Sequence, residues 1–449
     1  MAAGDVHAIA DEALANTSYL IEIGGAEAAV VDPRRDIEDY LSLTDRLGLR
    51  ITASLETHLH ADFVSGSREL TAGTGAEVIA PVDARLGFEH RPVRDGAAFT
   101  LGELKFEVLG TPGHTPEHVA YLMREPHGAV FSGGSLIAGG AARTDLIGPE
   151  RTRELAWAQF ESLKRIAGLE GRTTLHPTHG AGSFCSTGRG VRSGTTVGDE
   201  IRSNPLLAIE GRDEFVDALL AGYGSYPPYF LHLREVNRRP PGLADLPPVR
   251  SMSATEAAEL VERGAWLIDG RPVDAWAGQH PTRAVSIAVR PDFVSWLGWV
   301  VPFAEPVVLL VEPDQVEEAL RFAHRIGYDR IAGWVDGGIE GWRAAGLPTS
   351  SAVVVTARDA MHRTEAGERM LDVRQDSEWE RSRIPGAVHL ELGDVIAGKR
   401  PAGDAFVVYC GQGERSTTAV SLLARDGVRV TNLAGGIGAW KRAGLPIER

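Results

Sequence analysis

The chain has 449 residues, too many for one hydrophobic core, and at about 150 residues per domain it predicts two to four domains. With 43% hydrophobic and 24% charged residues it has an ordinary globular composition, which excludes a wholly disordered or fibrous chain. Its formal net charge of -15 would repel nucleic-acid phosphates and anionic lipid headgroups, so we expect neither as a partner.

The sequence predicts neither a membrane span nor a secretory signal. The most apolar stretch, residues 296–311, contains Glu305 and two prolines and is shorter than the about 20 apolar residues that a bilayer span needs. Residues 1–18 lack the basic and apolar regions of a signal peptide. Two cysteines, Cys185 and Cys410, cannot build a disulfide framework. We therefore expect a cytoplasmic protein.

Residues 1–222 alternate strand-like and helical runs, as an α/β domain does, and histidines cluster at the predicted strand ends. The clustered side chains are His58, His60, Asp62, His114, His176 and His179. Because open α/β folds place their sites at strand ends, we expect several of these imidazoles to converge. Imidazole suits zinc and iron, so this pattern predicts a metal site.

Residues 223–249 hold three Pro-Pro pairs. Proline fixes φ and removes backbone donors, so this segment is predicted to be an extended linker. Its aromatic start, YGSYPPYF, suggests that the linker docks on a surface.

The remaining residues contain an internal repeat. GGIEGWRAAGLP at residues 337–348 recurs as GGIGAWKRAGLP 98 residues later. Each copy alternates short apolar strands with helices and predicts a small doubly wound α/β domain. We place a first module at residues 250–348 and a second module at residues 349–449.

A strand-to-helix loop in the second module carries Cys410. The apolar run AFVVY precedes the cysteine, and Arg415 and a helix opened by Ser416 follow it. Backbone N–H groups of such a loop converge on the sulfur, and the helix dipole and Arg415 favour an anion there. We therefore predict that Cys410 is an activated nucleophile, with Gly411, Gly413 and Ser416 in the substrate-binding loop.

Charged residues elsewhere in the two modules bear on the role of this loop. Asp372 and Arg374 of LDVR are predicted to support it as part of the catalytic site, and the alternative is that Asp372 only caps local backbone. The repeat offset carries the nucleophile and the cation onto Glu312 and Glu317. Two carboxylates would repel an anionic sulfur donor, so the first module is predicted to be non-catalytic and to have a docking role.

Together these motifs resemble the metallo-β-lactamase fold, and more closely its persulfide dioxygenase branch fused to rhodanese modules. The resemblance covers nearly the whole chain and rests on NTSYLIE, AVVDPRRDIEDYL, THLHADFVSG, TPGHTPEHVAY, RTDL, HPTHGAGSFC and the repeat. It implies an α/β chain: a metallo-β-lactamase αββα sandwich followed by two rhodanese-like doubly wound α/β domains. The Cys410 loop is similar to the rhodanese active loop, whereas phosphatase and arsenate-reductase loops are one residue longer.

The resemblance also implies a ligand set. In that branch two histidines and one aspartate hold Fe(II) and leave positions open for O₂ and the persulfide. The histidines correspond to His58 and His114, whereas Gly134 stands at the position of the aspartate. A second family aspartate is replaced by Gly140. Losing a carboxylate ligand predicts an impaired site, and Gly134→Asp is expected to raise iron occupancy.

Three further residues are candidate ligands: His60, Asp62 and His179. His60 could complete a three-histidine site, a water could fill the gap, and zinc is the alternative to Fe(II). Phe63 stands where the two-metal glyoxalase II relatives have the last histidine of their HxHxDH motif, which argues against a second metal. Cys185 matches a cysteine near the expected substrate entrance, and a small buried thiol is an equal alternative.

The leading hypothesis is an enzyme of sulfide and persulfide metabolism. A low-molecular-weight thiol persulfide would be oxidised to sulfite at the metal, and Cys410 would carry sulfur to or from thiosulfate. The first alternative is that residues 1–348 only bind or scaffold and that the sulfurtransferase alone is active. The second is a glyoxalase II-like thioester hydrolase. The expected assembly is a homo-oligomer.

Overall fold

A computed structural model describes residues 3–180, 182–186 and 194–449. The chain divides into two compact units: a first unit of Met1–Leu246 with His324–Gly327, and a second unit of Pro247–Ala323 with Tyr328–Arg449. Among the described residues, no helix combines the length and apolar character that a membrane span requires.

The first unit contains two mixed sheets. The first sheet consists, in both chain and spatial order, of β1 (Val6–Asp11), β2 (Asn16–Gly24), β3 (Glu27–Val31), β4 (Arg50–Leu55), β5 (Glu77–Pro81) and β6 (Arg91–Val93). The other strands are β7 (Ala98–Leu101), β8 (Leu104–Gly110), β9 (Val119–Met123), β10 (Ala129–Gly133), β11 (Leu136–Ile137), β12 (Gly140–Ala141) and β13 (Thr174–Pro177). The second sheet has the order β13-β10-β9-β8-β7, and β11 pairs with β12.

Helices cover the outer faces of these sheets. They are α1 (Glu38–Leu47), α2 (Ser67–Thr74), α3 (Thr152–Ala167), α4 (Val197–Ser203), α5 (Arg212–Ala221) and α6 (Phe230–Arg238), with short 3-10 helices at Val82–Ala84 and Leu243–Asp245. One apolar core lies between the sheets, where Ile21 and Leu55 of the first sheet pack with Phe106 and Phe131 of the second. The central strands are buried on both faces, against the other sheet and against the helices, and this arrangement is an αββα sandwich.

The strand ends place the predicted metal ligands. Strands β3, β4 and β5 pair in parallel. His58 and His60 follow β4, His114 follows β8, and His179 follows β13. All four side chains are buried, so the loops after these strands, rather than exposed surface segments, carry the imidazoles.

The segment at residues 223–249 is not an extended linker, and that prediction is wrong. It contains helix α6, and the first unit continues through Leu246. The paired prolines at 227 and 228 lie just before the helix, where missing N–H groups cost nothing, and Pro240 follows its end. Phe230, Leu233 and Asn237 form a buried stripe at helical spacing that the proline content obscured.

In the second unit, the first module is a parallel sheet of order β14-β19-β18-β15-β17. Its strands are β14 (Ser251–Met252), β15 (Trp266–Asp269), β17 (Val285–Ser286), β18 (Val307–Leu310) and β19 (Ile331–Val335), with a separate pair of β16 (His280–Pro281) and β20 (Thr349–Ser350). Its helices are α7 (Ala254–Glu262), α8 (Val273–Gly278), α9 (Phe293–Val300), α10 (Val316–Arg325) and α11 (Gly338–Ala344), with a 3-10 helix at Pro313–Gln315.

The second module repeats this plan as a parallel sheet of order β21-β25-β24-β22-β23. Its strands are β21 (Val353–Val355), β22 (Arg369–Asp372), β23 (Val388–His389), β24 (Ala405–Tyr409) and β25 (Arg429–Leu433). Its helices are α12 (Ala357–Glu365), α13 (Asp376–Arg381), α14 (Leu392–Ile396), α15 (Glu414–Arg425) and α16 (Gly436–Arg442). The repeat in sequence is therefore a repeat in structure.

Candidate functional site

Three imidazoles converge in the first unit. One ring nitrogen each of His58, His114 and His179 lies within 4.8 Å of the others. The Nε2 atoms of His58 and His179 are 3.3 Å apart. These three side chains come from three different loops, and all are buried. Their nitrogens share one small volume in which a metal ion could be bound.

Hydrogen bonds fix the ring tautomers of two of these histidines. Nδ1 of His114 lies 2.6 Å from the backbone carbonyl of Arg143, and Nδ1 of His179 lies 3.1 Å from Oδ1 of Asn16. The amide of Asn16 donates to Asp62 at 2.7 Å, so its oxygen is free to accept. Because both acceptors are oxygens without a proton, each Nδ1 carries the hydrogen, and in the neutral ring each Nε2 keeps a lone pair.

A hydrogen bond also fixes the ring tautomer of His58. The hydroxyl of Thr57 donates to Asp32 at 2.7 Å and lies 2.8 Å from Nδ1 of His58. Since Thr57 has one hydroxyl hydrogen, it accepts from Nδ1 of His58. Asp32 also accepts from the hydroxyl of Thr178 and from the amide of Thr57. The Nε2 lone pair of His58 therefore faces the cluster.

Electrostatics keep the rings of His58 and His114 neutral. Burial lowers the pKa of His114 to about 3, and burial with the neighbouring imidazoles lowers the pKa of His58 well below its ordinary value. Nε2 of His114 is buried and has no hydrogen-bond partner among the described residues. Metals bind neutral imidazole, and an unpartnered buried nitrogen is costly unless something binds it. The residues present thus fit a bound zinc or iron ion.

His60 lies beside this cluster in a different role. Its Nε2 is 3.3 Å from Oδ1 of Asp32 and 3.3 Å from Oε2 of Glu56, and its ring stacks on Phe63 at 4.2 Å. Burial opposes protonation, but the two carboxylates outweigh it and raise the pKa of His60 to about 10. Asp32, His58 and His60 also form a potential ligand group by distance. The two carboxylates therefore compete with a metal ion for Nε2 of His60.

The carboxylate of Asp62 contacts the Nδ1 side of the His179 ring. Its carboxylate accepts from Asn16 and lies 3.3 Å from Nδ1 of His179, the edge opposite the nitrogen that faces His58. Burial opposes ionisation, but His179, His60 and Asn16 hold the pKa of Asp62 below its usual range. The hydroxyl of Tyr229, just before α6, donates to the Asp62 carbonyl at 2.8 Å. Asp62 thus orients the imidazole of His179, and with His60 and His179 it also forms a potential ligand group by distance.

The glycine at the expected aspartate position is tightly packed. A Cβ on Gly134 would lie 2.4 Å from Cδ2 of His114 and 3.1 Å from Cδ2 of His179. A side chain there requires His114 to move, although that ring is held by Arg143. The expectation that Gly134→Asp simply restores a ligand is therefore not supported by the structure. Gly140 lies in β12, where its carbonyl accepts from Asn204 at 3.0 Å.

Cys185 is completely buried beside this site. Burial and the Asp62 carboxylate raise its pKa well above the ordinary value, so the thiol stays protonated. Its backbone carbonyl accepts from the amide of Arg143 at 2.8 Å. Arg143 is in turn paired with Asp145 and packed on Tyr226. The structure supports the alternative of a buried structural thiol over a reactive one at a substrate entrance.

Sequence reasoning missed the residues that hold the rings, namely Asn16, Asp32 and Thr57. A usable signal was present, because Asp32 follows β3 and Thr57 follows β4, at the same strand ends that carry the histidines. His118 was also missed. Its ring stacks on His58 at 4.9 Å, and its Nε2 accepts from the Gly134 amide at 2.9 Å.

Acid should destabilise the metal-free first unit. Burial lowers the folded-state pKa of His114 to about 3, that of His176 to about 4, and those of His58 and His118 well below 6.5. The unfolded chain then binds protons that the folded chain cannot, so stability falls as pH drops below 6.5, by about 1.4 kcal/mol per pH unit and histidine. His60 does not offset this, since it is protonated in both states below pH 6.5.

Urea unfolding of chelator-treated protein at pH 7.5 and pH 5 measures this effect. We expect a clearly lower midpoint at pH 5. An unchanged midpoint would contradict the neutral, buried state of these rings.

The second site surrounds Cys410, at the end of β24. The Gly413 amide donates to Sγ at 3.0 Å, and the Ser416 hydroxyl oxygen lies 3.6 Å from Sγ. Gly413 has φ of +114°, a left-handed conformation that glycine adopts readily. A Cβ at Gly411 would lie 3.1 Å from Nη2 of Arg415, so glycine leaves room for the guanidinium. The predicted loop residues therefore gather around the sulfur.

Arg415 has a partner that the sequence did not reveal. Its two terminal nitrogens donate to Glu378 of α13 at 2.6 and 2.9 Å. Burial opposes the charge, but the ion pair outweighs it and raises the pKa of Arg415. The guanidinium carbon also lies 5.9 Å from the ring centre of Trp296 in α9 of the first module. The predicted cation is thus fixed from two sides.

The first module contacts the helix that follows Cys410. Arg290 donates to Glu414 at 2.7 Å, and the Thr418 hydroxyl donates to the Ser286 carbonyl at 2.7 Å. With Trp296 these residues cover one side of α15. In the first module itself, Glu312 and Glu317 are exposed beside the 3-10 helix Pro313–Gln315. Leu310 pairs with Asp269 as Tyr409 pairs with Asp372, so Val311 rather than Glu312 stands at the position of Cys410. The repeat offset of 98 is therefore one residue short at this loop.

Asp372 and Arg374 form a buried ion pair. Nε of Arg374 donates to Oδ1 of Asp372 at 2.9 Å, and Nη2 donates to the Ser382 carbonyl at 2.7 Å. Asp372 also accepts from the Arg374 amide at 3.0 Å. Asp269 and Arg271 make the same pair in the module that lacks the cysteine. Because this ion pair is present in both modules, it favours the alternative that Asp372 caps local backbone over a catalytic role.

Comparisons with known proteins agree with this architecture. Residues 12–179 match the metallo-beta-lactamase superfamily, and residues 253–345 and 356–443 match the rhodanese-like domain. A hydroxyacylglutathione hydrolase from Rhodospirillum rubrum is 31% identical over 237 residues, covering 46% of this chain and 88% of that protein. The chain belongs to the metallo-beta-lactamase superfamily. The predicted fold, a metallo-β-lactamase sandwich followed by two rhodanese-like domains, is confirmed.

Two further relatives extend the comparison. A hydroxyacylglutathione hydrolase from Pseudomonas entomophila is 34% identical over 161 residues, which is 36% of this chain. This chain spans only 60% of that relative's length. A metallo-beta-lactamase from Staphylococcus aureus subsp. aureus COL has a TM-score of 0.65 and 27% identity, covering 74% of this chain and 98% of that chain.

Proposed function

We propose that this protein is an enzyme of persulfide metabolism in which Cys410 transfers sulfane sulfur. The observation that carries the proposal is the convergence of the Gly413 amide and the Arg415 guanidinium around the Cys410 loop, at the start of α15. Positive partial charge from the helix and full charge from arginine both favour an anionic sulfur and an anionic donor. Thiosulfate or a thiol persulfide meets this requirement.

The transfer balances without an external oxidant. The Cys410 thiolate attacks the outer sulfur of thiosulfate, a new S–S bond forms at Sγ, and sulfite leaves with the electron pair of the broken S–S bond. An acceptor thiolate or cyanide then attacks the outer sulfur of the Cys410 persulfide. The cysteine thiolate leaves and is ready for the next cycle.

The surrounding residues have separable roles in this step. The Gly413 N–H stabilises charge on the sulfur, and Arg415 attracts the oxyanion of the donor. Glu378 holds the guanidinium in place through two hydrogen bonds, which limits its motion between turnovers. The Ser416 hydroxyl donates to Asn432 at 2.6 Å and thereby fixes the first turn of α15.

We further propose that the first domain acts on a low-molecular-weight thiol persulfide and depends on a metal. A bound Fe(II) would supply O₂ activation there, and zinc would supply Lewis acidity. The chain itself contributes the imidazoles of His58, His114 and His179, which converge in a buried site. A metal-dependent persulfide oxidation and a sulfur transfer would share sulfite and persulfide as chemical intermediates.

Thioester hydrolysis is the second candidate, because the relatives named above include hydroxyacylglutathione hydrolases. Two features oppose it. Phe63 replaces a metal-binding imidazole and stacks on His60. Gly134 provides no carboxylate near His114 and His179. A two-metal hydrolytic site therefore lacks residues in this chain.

The test uses the full-length protein. After incubation with thiosulfate, mass spectrometry of the Cys410 peptide should show one added sulfur atom, and cyanide should release that sulfur as thiocyanate. Iron-loaded protein should consume O₂ when given a thiol persulfide. Failure of both reactions would contradict the proposal, whereas sulfur transfer alone would favour a non-catalytic first domain.

Removing the aromatic ring from the first module should weaken donor binding. Trp296→Ala deletes a cation-π contact with Arg415 that is worth about 0.5 to 1 kcal/mol, so KM for thiosulfate should rise about two- to fivefold with little change in kcat. Trp296→Phe keeps a ring and should restore most of the affinity. Steady-state kinetics measure both variants, and an unchanged KM in Trp296→Ala would contradict this role.

A further inference from the structure

We propose that the metal of the first domain is held by three imidazoles, those of His58, His114 and His179, and that His179 replaces the missing carboxylate ligand. This inference rests on the metal-dependent part of the proposed function and is independent of sulfur transfer at Cys410. The sequence offered both His60 and His179 as candidate ligands and gave His60 as one way to complete a three-histidine site, whereas the distances favour His179.

The distances between the three ring nitrogens suit a single bound metal ion. Zinc binds imidazole nitrogen at about 2.0 to 2.1 Å, so two nitrogens on one tetrahedral metal are separated by about 3.3 Å. The Nε2 atoms of His58 and His179 are 3.3 Å apart. The nitrogen of His114 lies within 4.8 Å of both. Small side-chain rotations would bring all three nitrogens onto one ion.

The lone pairs of the three ring nitrogens need a common partner. Two imidazoles this close share either a proton or a metal ion. A proton bridges one pair only, and it would leave Nε2 of His114 buried without a hydrogen-bond partner among the described residues. A metal ion satisfies all three lone pairs at once. The unpartnered third nitrogen therefore favours the metal.

The gained ligand, His179, lies next to Gly134, where the carboxylate ligand is missing. A Cβ at residue 134 would lie 2.4 Å from the His114 ring and 3.1 Å from the His179 ring. The two rings therefore occupy the space that a side chain at this position would need. The glycine that removes a carboxylate also makes room for the imidazole that takes its place.

The outer contacts separate His179 from His60. Asn16 accepts from Nδ1 of His179, and the carboxylate of Asp62 lies 3.3 Å from the same atom. An oxygen acceptor on Nδ1 is the arrangement that orients metal-bound imidazoles. His60 instead directs Nε2 at the carboxylates of Asp32 and Glu56. Of the two, only His179 belongs with His58 and His114 to one group of converging ring nitrogens among the described residues.

Three neutral ligands have a chemical consequence. A two-histidine, one-carboxylate set cancels one charge of a divalent ion, whereas three imidazoles cancel none. The ion should bind an anionic fourth ligand, such as hydroxide, a thiolate or a persulfide, more tightly. Three protein ligands with an open position are also the arrangement of catalytic zinc.

The experiment measures metal binding by the full chain after chelator treatment. Zinc affinity is determined by competition with a chromophoric chelator, and cobalt(II) absorption reports the coordination geometry. His179→Ala should lower zinc affinity by at least about 100-fold and abolish the tetrahedral cobalt spectrum. His179→Gln, which can still donate to Asn16, should lose the metal equally while preserving the fold.

Two controls separate ligation from general disruption. His176→Ala removes an imidazole three residues away whose ring packs on Tyr19 and Phe131, and it should leave zinc affinity within a few-fold of the wild type. His60→Gln should cost less than tenfold. Gly134→Ala should weaken binding, because its Cβ displaces His114.

Several results would overturn the assignment. Unchanged zinc affinity in His179→Ala and His179→Gln would exclude His179 as a ligand. An equal loss in His60→Gln would restore the alternative in which His60 completes the three-histidine site. Tighter binding in Gly134→Asp that no longer depends on His179 would show that the carboxylate arrangement is the preferred one. Absence of zinc and cobalt binding in the wild type would refute this site, while thiocyanate formation at Cys410 would still decide the sulfur-transfer proposal.

Discussion

Cys410→Ser should reduce sulfur transfer from thiosulfate to cyanide by at least about a thousandfold, to the background rate. A serine hydroxyl in the same loop is a far weaker nucleophile, and it cannot form the persulfide on which the second half of the reaction depends. The sulfur it replaces receives the Gly413 amide at 3.0 Å and lies at the start of α15. Thiocyanate formation and the mass of the Cys410 peptide measure the loss.

A matched control is available because the chain has two cysteines. Cys185→Ser should retain transfer at close to the wild-type rate, since that thiol is buried in the first unit and stays protonated. The first module contributes nothing in this view, because neither of the chain's two cysteines lies in it. Substantial thiocyanate formation by Cys410→Ser would show that another group carries the sulfur.

Arg374→Ala should lower the free energy of unfolding of the second module by about 3 to 5 kcal/mol. The guanidinium is the buried partner of Asp372, whose side chain is 0% exposed, and removing it leaves a charge without compensation. It also leaves the Ser382 carbonyl without its donor. Denaturant unfolding followed by circular dichroism measures the change.

The first module supplies the comparison for this variant. Arg271→Ala breaks the equivalent pair with Asp269 and should cost a similar amount. At a temperature where Arg374→Ala is folded, it should still transfer sulfur. Loss of transfer with unchanged stability would instead establish the catalytic role that the sequence suggested for Asp372 and Arg374.

Local signals made much of this molecule predictable. The spacing between Cys410 and Arg415, the repeat of the glycine-rich turns and the placement of histidines after apolar runs each reflect chain-local geometry. These features predicted the two modules, the cysteine loop and a histidine cluster. The alternation of strands and helices predicted only an α/β domain, and the αββα order came from the resemblance to the metallo-β-lactamase fold.

The features that the sequence could not determine lie where distant segments meet. The choice between His60 and His179 depends on how the loops after β4 and β13 approach each other, and no spacing in the sequence encodes that approach. The Glu378 partner of Arg415 is remote in sequence for the same reason. Helix α6 was missed because the proline content of the segment outweighed the helical spacing of its three buried residues.

The contact between the two modules bears on how the duplicated halves can diverge. The first copy has no thiol, yet its Trp296 and Arg290 lie against the residues that flank the other copy's nucleophile. A substitution of Trp296 or Arg290 in the first module should therefore alter the reaction at Cys410 in the second module. The two halves are no longer interchangeable: exchanging one for a second working copy would add a cysteine but discard the surface that α15 packs against.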